Sequence, residues 1–322
     1  MNQQLYSDTS IPALVDVVLF AGQSNMAGRG DAAASVVCPP DAGFEFHAVA
    51  ALARERGAAF PAPVSTGATG IAASAWPADN VSRMPAADAF GQNEMLVTPL
   101  TEPFGKRENN DILNDYNSAG VERRRGSLVS AFAVSYAQHS HVPVVGVSAC
   151  RGGAPVSFFA AEPVLSELQA RFSVAVRTLS ASGTTVRRRL CLWCQGETDG
   201  DRATSEEAFQ TNMETLWAAL KKAGITDLFI IKTGHFNYAL EKGADGMPAK
   251  EALERDARYK AVNRWQEAFA AAHADVHIVG DLYTDHFFSL MRDHFHYTQA
   301  AYNEIGAAAG LAVSRIAAQE VQ

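Results

Sequence analysis

The chain alternates between short apolar runs and longer segments with helical periodicity. Five runs are rich in β-branched or aromatic residues and too short for helices, which predicts buried strands; they are 16–20, 142–149, 189–194, 227–232 and 276–280. Between and after them, apolar residues recur every three or four positions, which predicts helices; these are 127–141, 162–180, 205–223, 250–273 and 298–318. Strands alternating with long helices predict an α/β fold with a parallel sheet.

The segment from about residue 29 to about residue 125 breaks this alternation. It has weak periodicity and many proline, glycine, asparagine and aspartate residues. A structureless loop of that length is unusual in a compact domain. We therefore expect short helices, such as one over 43–56, and ordered loops crossing one edge of the sheet. Because the sequence shows no linker or internal repeat, we interpret residues 1–322 as one domain carrying this long, loop-rich insertion.

Composition and charge narrow the class of protein. With 48% hydrophobic and 19% charged residues among 322, the profile is that of a soluble globular protein. A net charge of −8 argues against a nucleic-acid partner, and the arginine runs 123–125 and 187–189 are interpreted as solvated ends of elements. No run approaches the ~18 apolar residues of a membrane span. The first ten residues lack the features of a signal peptide, so we expect a cytoplasmic location unless a leader has been removed.

The four cysteines are better explained as core residues than as a metal or redox site. Cys191 and Cys194 form a C-x-x-C pair, but they lie within a predicted buried strand. A zinc or redox site needs such a pair on a turn, and no second pair has metal-site spacing. We expect buried, reduced thiols at Cys38, Cys150, Cys191 and Cys194, with no metal and no cofactor.

Candidate chemistry begins where the first strand ends. Ala21-Gly22 permits a sharp turn, after which Ser24 stands between Gln23 and Asn25. In open α/β sheets ligands bind at this carboxyl edge. A serine on such a turn is exposed and close to free backbone N–H groups, as a nucleophile must be. The alternative is an ordinary surface turn, for which serine and asparagine are common.

A nucleophilic serine needs a base, and His296 is the best candidate among nine histidines. Asp293 precedes it by three residues, so its carboxylate can fold back to accept the imidazole Nδ1–H. That hydrogen bond would leave Nε2 facing the serine. His294 is the nearest rival, but in an extended segment its side chain points away from that of His296.

Donors for a developing oxyanion are predicted at three strand ends. The backbone N–H groups of Ser24 and Gly153 are two of them, and the side-chain amide of Gln195 is a third. Neighbouring polar residues are expected to bind substrate or to support the site; they are Gln23, Asn25, Arg151 and Glu197.

Four blocks carry a family resemblance: Gly22-Gln23-Ser24-Asn25-Met26-Ala27-Gly28, Gly152-Gly153, Trp193-Cys194-Gln195-Gly196-Glu197 and Asp293-x-x-His296. Together they resemble the SGNH-hydrolase superfamily. More narrowly, they are similar to the sialate O-acetylesterase-like group, which includes the carbohydrate esterase family six acetylxylan esterases. The chain departs from this pattern at Ala154, where relatives often carry a hydroxyl residue, and at Cys194, where they commonly show His or Tyr.

The resemblance implies a flavodoxin-like, three-layer α/β/α sandwich with about five parallel strands. It also implies that Ser24 is the nucleophile, His296 the base and Asp293 its orienter, with Gly153 and Gln195 in the oxyanion hole and no metal. The implied function is removal of O-acetyl groups from a carbohydrate, such as an acetylated xylan oligosaccharide, or alternatively from a sialic acid. Two functions outside that pair stay open, a non-carbohydrate acyl esterase and a catalytically silent carbohydrate-binding protein.

If the substrate is a sugar, aromatic side chains of the insertion are candidates for stacking on its ring. They are equally candidates for packing a small local core. The residues concerned are Trp76, Phe90, Phe104 and Tyr116.

Overall fold

The computed structural model describes residues 11–55, 95–282 and 288–319. Their central feature is a seven-stranded sheet with the strand order β3-β2-β4-β1-β5-β6-β7, in which only β3 is antiparallel to its neighbour. The strands are β1 (Leu14–Gly22), β2 (Gly43–Phe46), β3 (Val97–Pro99), β4 (Val144–Cys150), β5 (Thr185–Cys194), β6 (Asp227–Lys232) and β7 (Val276–Asp281).

Helices cover both faces of this sheet. Those of eight residues or more are α2 (Ala48–Glu55), α3 (Val129–Ser140), α5 (Val164–Ala181), α7 (Glu206–Lys222), α8 (Lys250–Ala272) and α9 (Gln299–Gln319). Three short helices follow strand ends or turns: α1 (Ser24–Ala27), α4 (Val156–Phe159) and α6 (Glu197–Asp201). None of the helices in the described ranges is both long and apolar enough to cross a membrane.

Alternation along β1 builds two cores. Val17 and Leu19 pack into a cluster shared with α5, α7 and α8, whereas Val18 and Phe20 pack against α3 and α9. All four side chains are essentially inaccessible to solvent. Burial on both faces explains why the strand is a continuous apolar run rather than an alternating one. The predicted α/β/α sandwich with a mainly parallel sheet is confirmed.

The sequence did not predict β2 and β3. The range expected to be one helix over 43–56 is instead β2 followed by α2. Phe44 and Phe46 lie in a strand because it pairs with β4 in parallel register, for example Phe44 with Val145. That partner is about a hundred positions away, so the local pattern did not reveal it.

The expectation that the two arginine runs are solvated is corrected at Arg124. That residue is fully buried: its Nη2 donates to the Cys150 carbonyl oxygen over 3.1 Å, and its Nη1 donates to Asn109. Arg187 is exposed as expected, but it lies inside β5 rather than before the strand, and its Nε donates to the buried carboxylate of Asp16 over 3.0 Å. Both guanidinium groups neutralise or satisfy buried acceptors, which the charge run alone did not indicate.

The insertion's aromatic residues separate into different environments. Phe104 is buried and meets Phe20 edge-on, with 5.4 Å between ring centroids, so it is a core residue. Tyr116 is half-buried. Trp76 and Phe90 lie outside the described residues.

The cysteines carry free thiols, and Cys150, Cys191 and Cys194 are buried as expected, whereas Cys38 is only half-buried.

Candidate active site

Three turns meet at the carboxyl edge of β1, β4 and β5. Gly22 is in register with Cys150 on one side and with Cys194 on the other. Gly22 has a φ of +136°, and a Cβ there would lie 2.1 Å from the Cys194 carbonyl oxygen. Only glycine fits this close approach, which sets the direction in which the chain leaves β1.

Ser24, His296 and Asp293 form one hydrogen-bonded row at this edge. Ser24 is the first residue of α1, and its Oγ lies 2.9 Å from His296 Nε2. His296 Nδ1 lies 2.9 Å from Asp293 Oδ2. The Ser24 residue is 4% exposed, while the side chains of His296 and Asp293 are 14% and 42% exposed. The structure thus brings together the three residues that the sequence selected from segments 269 or more positions apart.

Asp293 organises its own loop as well as the imidazole. Its Oδ1 accepts the backbone N–H groups of Phe295 and His296, over 2.9 and 2.8 Å. Burial alone would raise the pKa of Asp293, but the hydrogen bond and charge of His296, together with these N–H groups, lower it to about 2. The carboxylate is therefore ionised at any pH at which the protein is expected to work.

His294 is directed elsewhere. Its ring stacks on Phe236 with 5.2 Å between centroids, and its Nε2 lies 3.4 Å from Glu241 Oε1. These contacts hold the His294 side chain away from the row that contains Ser24.

Asn25 ties the serine turn to the histidine loop. Its Nδ2 donates to the Phe295 carbonyl oxygen over 3.1 Å and to Glu197 Oε1 over 2.5 Å, and its Oδ1 accepts the Tyr302 hydroxyl over 2.7 Å. Asn25 is almost fully buried, so this amide joins α1, α6, α9 and the loop bearing His296. The distance from Ser24 to its base depends on this junction.

Glu197, at the start of α6, and Gln23, between β1 and α1, support the same junction. Glu197 is buried, and burial raises its pKa to about 7, against the opposing hydrogen bond from Asn25. Its Oε1 accepts the hydrogen bond from Asn25 Nδ2. Gln23 Oε1 accepts the backbone N–H groups of Gly196 and Thr198 over 3.4 and 3.3 Å.

Two backbone N–H groups, one at Ser24 and one in the turn between β4 and α4, are candidates for the oxyanion hole. Ser24 begins α1, so its N–H has no acceptor within the helix. Gly153 has a φ of +72°, and a Cβ on neighbouring Gly152 would lie 3.5 Å from Ser24 Cβ. In the described part of the chain neither the Ser24 nor the Gly153 N–H has a hydrogen-bond acceptor. Both N–H groups are therefore left free to donate a hydrogen bond.

The predicted role of Gln195 as a third donor is contradicted by its hydrogen bonds. Its fully buried amide nitrogen donates to the Ala154 carbonyl oxygen over 3.2 Å and to the Asp199 carboxylate. Both amide hydrogens are thereby used within the protein. Asp199 lies one helical turn further on in α6, and it also accepts the Val156 N–H over 2.9 Å. Gln195 therefore holds the loop after Gly153 in place, which the linear motif did not reveal.

Arg151 is buried beneath this turn rather than presented to solvent. Its guanidinium lies 5.3 Å from the centre of the Phe158 ring, and burial lowers its pKa to about 10. Its backbone N–H donates to the Gly22 carbonyl oxygen over 2.9 Å. These contacts connect the β4 turn to the β1 turn.

Sequence reasoning missed Arg29 and Asp115. They form a buried ion pair, with Nη1 and Nη2 of Arg29 each 2.8 Å from a carboxylate oxygen of Asp115. The position of Arg29 just after the serine turn was a possible signal. Asp115, in the insertion, offered none.

One group among the described residues has the donor types of a metal centre. Glu45, His47 and Glu108 are buried, with candidate ligand atoms within 4.8 Å of one another. Each has a protein partner: His47 contacts Glu108 and Thr98, and the two glutamates accept backbone N–H groups. The group lies at the end of β2, on the far side of β4 from β1. It takes no part in the row that contains Ser24.

The fold is that of the SGNH hydrolases, with helices on both faces of a mainly parallel sheet. The chain belongs to the carbohydrate esterase family of sialic acid-specific acetylesterases, whose model matches residues 107–314. The matched range contains Gly153, Gln195, Asp293 and His296 but does not reach back to Ser24. No curated protein matches the chain significantly.

Three solved structures are similar to this chain at low sequence identity. A protein from Arabidopsis thaliana is 15% identical with a TM-score of 0.55, covering 94% of this chain and 98% of its own. A carbohydrate acetylesterase from Xanthomonas citri is 14% identical with a TM-score of 0.49, covering 94% of this chain and 57% of its own. A lipase/acylhydrolase from Enterococcus faecalis is 16% identical with a TM-score of 0.44, covering 63% and 91%. Identities this low report on the fold alone.

Proposed function

We propose that the protein is a serine esterase that removes O-acetyl groups from a carbohydrate through an acetyl-enzyme intermediate. The observation that carries the proposal is the row from Ser24 Oγ to His296 Nε2 and from His296 Nδ1 to Asp293, with 2.9 Å at each step. The backbone N–H groups of Ser24 and Gly153, which have no acceptor within the described part of the chain, complete the arrangement. Membership in a carbohydrate esterase family supports the acetyl ester as substrate.

In the acylation step, Ser24 Oγ attacks the acetyl carbonyl carbon while its proton passes to His296 Nε2. Asp293 holds the imidazole in the required tautomer and stabilises the imidazolium that forms. The carbonyl oxygen becomes an oxyanion, which accepts hydrogen bonds from the N–H groups of Ser24 and Gly153.

Collapse of this intermediate breaks the bond to the sugar oxygen, and His296 returns its proton to the departing alcohol. Water then attacks the acetyl-enzyme and gives up a proton to His296. Collapse of the second tetrahedral intermediate breaks the bond to Ser24 Oγ and releases acetate, while His296 returns its proton to Ser24 Oγ. No step in this sequence requires a metal ion.

Two substrate classes are proposed for the sugar. Acetylated xylan oligosaccharides or similar glycans are the first. Sialic acids bearing O-acetyl groups are the second, because the family to which the chain belongs is described as sialic acid-specific. Acetate release measured across acetylated xylo-oligosaccharides, manno-oligosaccharides and sialic acids distinguishes them, since the preferred class gives the higher kcat/KM.

The role of Ser24 is tested with Ser24→Ala on p-nitrophenyl acetate. We expect turnover to fall by at least about a thousandfold, and fluorophosphonate labelling to disappear. Ser205→Ala is a suitable control, because Ser205 caps α7 by accepting the Ala208 N–H and lies outside the site. Activity of Ser24→Ala within a few-fold of wild type would contradict the proposed function.

A further inference from the structure

A buried carboxylate from the insertion lies between the two turns that surround Ser24. Asp115 Oδ1 accepts the Gly152 N–H over 3.1 Å and a hydrogen bond from Arg29 Nη2 over 2.8 Å. Arg29 Nη1 lies 2.8 Å from the other carboxylate oxygen and donates to the Gly28 carbonyl oxygen over 2.9 Å. One ion pair therefore links the segment after Ser24 to the paired glycines.

The space around Gly152 shows how closely these groups surround the turn. A Cβ added there would lie 2.5 Å from Arg29 Nη2, 2.7 Å from Asp115 Oδ1 and 3.5 Å from Ser24 Cβ. The N–H groups of Arg151 and Gly152 both have fixed acceptors, on Gly22 and Asp115. The next N–H along the chain is that of Gly153, which is the one left without an acceptor in the described ranges.

The charge of Asp115 is secured by its surroundings. Burial opposes ionisation, but Arg29 and Arg124 hold the pKa of Asp115 below its usual range. Asn109 Oδ1 accepts the Asp115 N–H over 2.8 Å and also accepts from Arg124. Arg124 in turn donates to the Cys150 carbonyl oxygen. The insertion therefore binds the end of β4 at Cys150 and the turn after it at Gly152.

We propose that Asp115, paired with Arg29, is a positioning residue for the oxyanion hole. By fixing the Gly152 amide, Asp115 orients the neighbouring Gly153 N–H towards the carbonyl oxygen of the acetyl group, which becomes negatively charged after Ser24 attacks. This inference rests on the proposed esterase function. Because Asp115 is buried, it acts through the glycine turn and affects the transition state more than the bound substrate.

Two substitutions separate the hydrogen bond from the charge. Asp115→Ala removes the acceptor for Gly152, and we expect kcat to fall about 100-fold, close to the loss of one oxyanion donor, with KM almost unchanged. Asp115→Asn keeps an acceptor oxygen but loses the ion pair, and we expect a loss of roughly tenfold. Affinity for methylboronic acid, whose tetrahedral adduct with Ser24 mimics the intermediate, falls by the same factors.

A matched control is available at the other end of β1. Asp16 is fully buried and paired with Arg187, but it lies six residues before the end of β1, about 20 Å along the strand from the edge that carries Ser24. Asp16→Asn therefore removes another buried carboxylate that is paired with an arginine, but far from Ser24, and we expect kcat within about threefold of wild type. Equal losses of kcat in Asp16→Asn and Asp115→Asn would reduce the effect to general destabilisation and overturn the inference.

Hydrogen exchange gives a readout that does not depend on activity. The amides of Gly152 and Gly153 should exchange faster in Asp115→Ala than in wild type, and unchanged exchange overturns the inference. If wild type hydrolyses acetyl esters through Ser24 but Asp115→Ala keeps its kcat within about threefold, the inference fails while the proposed function stands. If Ser24→Ala remains active, the proposed function fails, and the inference fails with it.

Discussion

Replacing Asp293 by asparagine tests the orientation of the base more sharply than deleting it. The oxygen of the introduced amide can still accept the backbone N–H groups of Phe295 and His296, which Asp293 Oδ1 accepts over 2.9 and 2.8 Å. The amide nitrogen then faces His296 Nδ1, which lies 2.9 Å from Oδ2 in the wild type. Because that nitrogen is a donor, the imidazole must carry its proton on Nε2, pointing at Ser24. This is the wrong tautomer for a base.

The expected magnitude follows from the exposure of the carboxylate. In a triad with a buried aspartate the same replacement lowers kcat about 10⁴-fold. The Asp293 side chain is 42% exposed, so water can compete with the amide at His296 Nδ1. We therefore expect a smaller loss of kcat, roughly 100- to 1,000-fold. His296 and the backbone N–H groups lower the pKa of Asp293 to about 2, against the effect of burial. Asp293 is therefore ionised above about pH 4, and its titration does not change the size of the kcat loss in that range.

The assay is kcat for p-nitrophenyl acetate between pH 5 and 9, with thermal unfolding measured in parallel. His294→Ala is the matched control, since that imidazole lies two residues away but contacts Phe236 and Glu241. We expect the control to stay within about threefold of wild type. The reasoning is refuted if Asp293→Asn also stays within that range, or if His294→Ala is more damaging than His296→Ala.

Three further predictions concern the supports of the site. Burial raises the pKa of Glu197 from 4.5 to about 7 in the folded protein. The protonated carboxyl therefore contributes stability at low pH, and about 3 kcal/mol of that stability is lost as the pH rises to 7. Glu197→Gln should therefore shrink the fall in Tm between pH 5 and pH 8 by roughly 5 °C, and an unchanged fall would contradict this. Gly22→Ala would place a Cβ 2.1 Å from the Cys194 carbonyl oxygen. We expect this clash to lower the free energy of unfolding, measured in urea, by more than about 3 kcal/mol, and a loss below about 1 kcal/mol would refute it. Arg124→Met should cost about 2–4 kcal/mol in the same assay, while Arg125→Met, at an exposed position of the same run, should cost less than about 0.5 kcal/mol.

Strands buried on both faces were predictable because they are apolar throughout. β6 has the bounds that its run predicted, and β1 extends the predicted strand by two residues at each end. β2 was not predictable in this way: it is four residues long, and its pairing with β4 and β3 makes it a strand. Short strands acquire their structure from neighbours that are distant in the chain.

The candidate site divides along the same line. Asp293 and His296 are three positions apart, and Ser24 follows a strand directly, so short-range rules for turns and strand ends selected them. Gln195 was assigned the wrong task because its amide hydrogens bond Ala154 and Asp199, a competition that exists only once α6 has formed. Asp115 was missed because Arg29 is 86 positions away.

The sequence by itself determined the α/β class, the order of its main elements and the residues of the candidate row. These follow from hydrophobic periodicity and from side chains close to strand ends, which act over a few residues. The tertiary structure alone decided which polar groups remain available. A buried donor or acceptor must find a partner wherever the chain folds back. For that reason Gln195 is committed to the protein interior, Arg124 is buried, and the Gly153 N–H is left open beside Ser24 among the described residues.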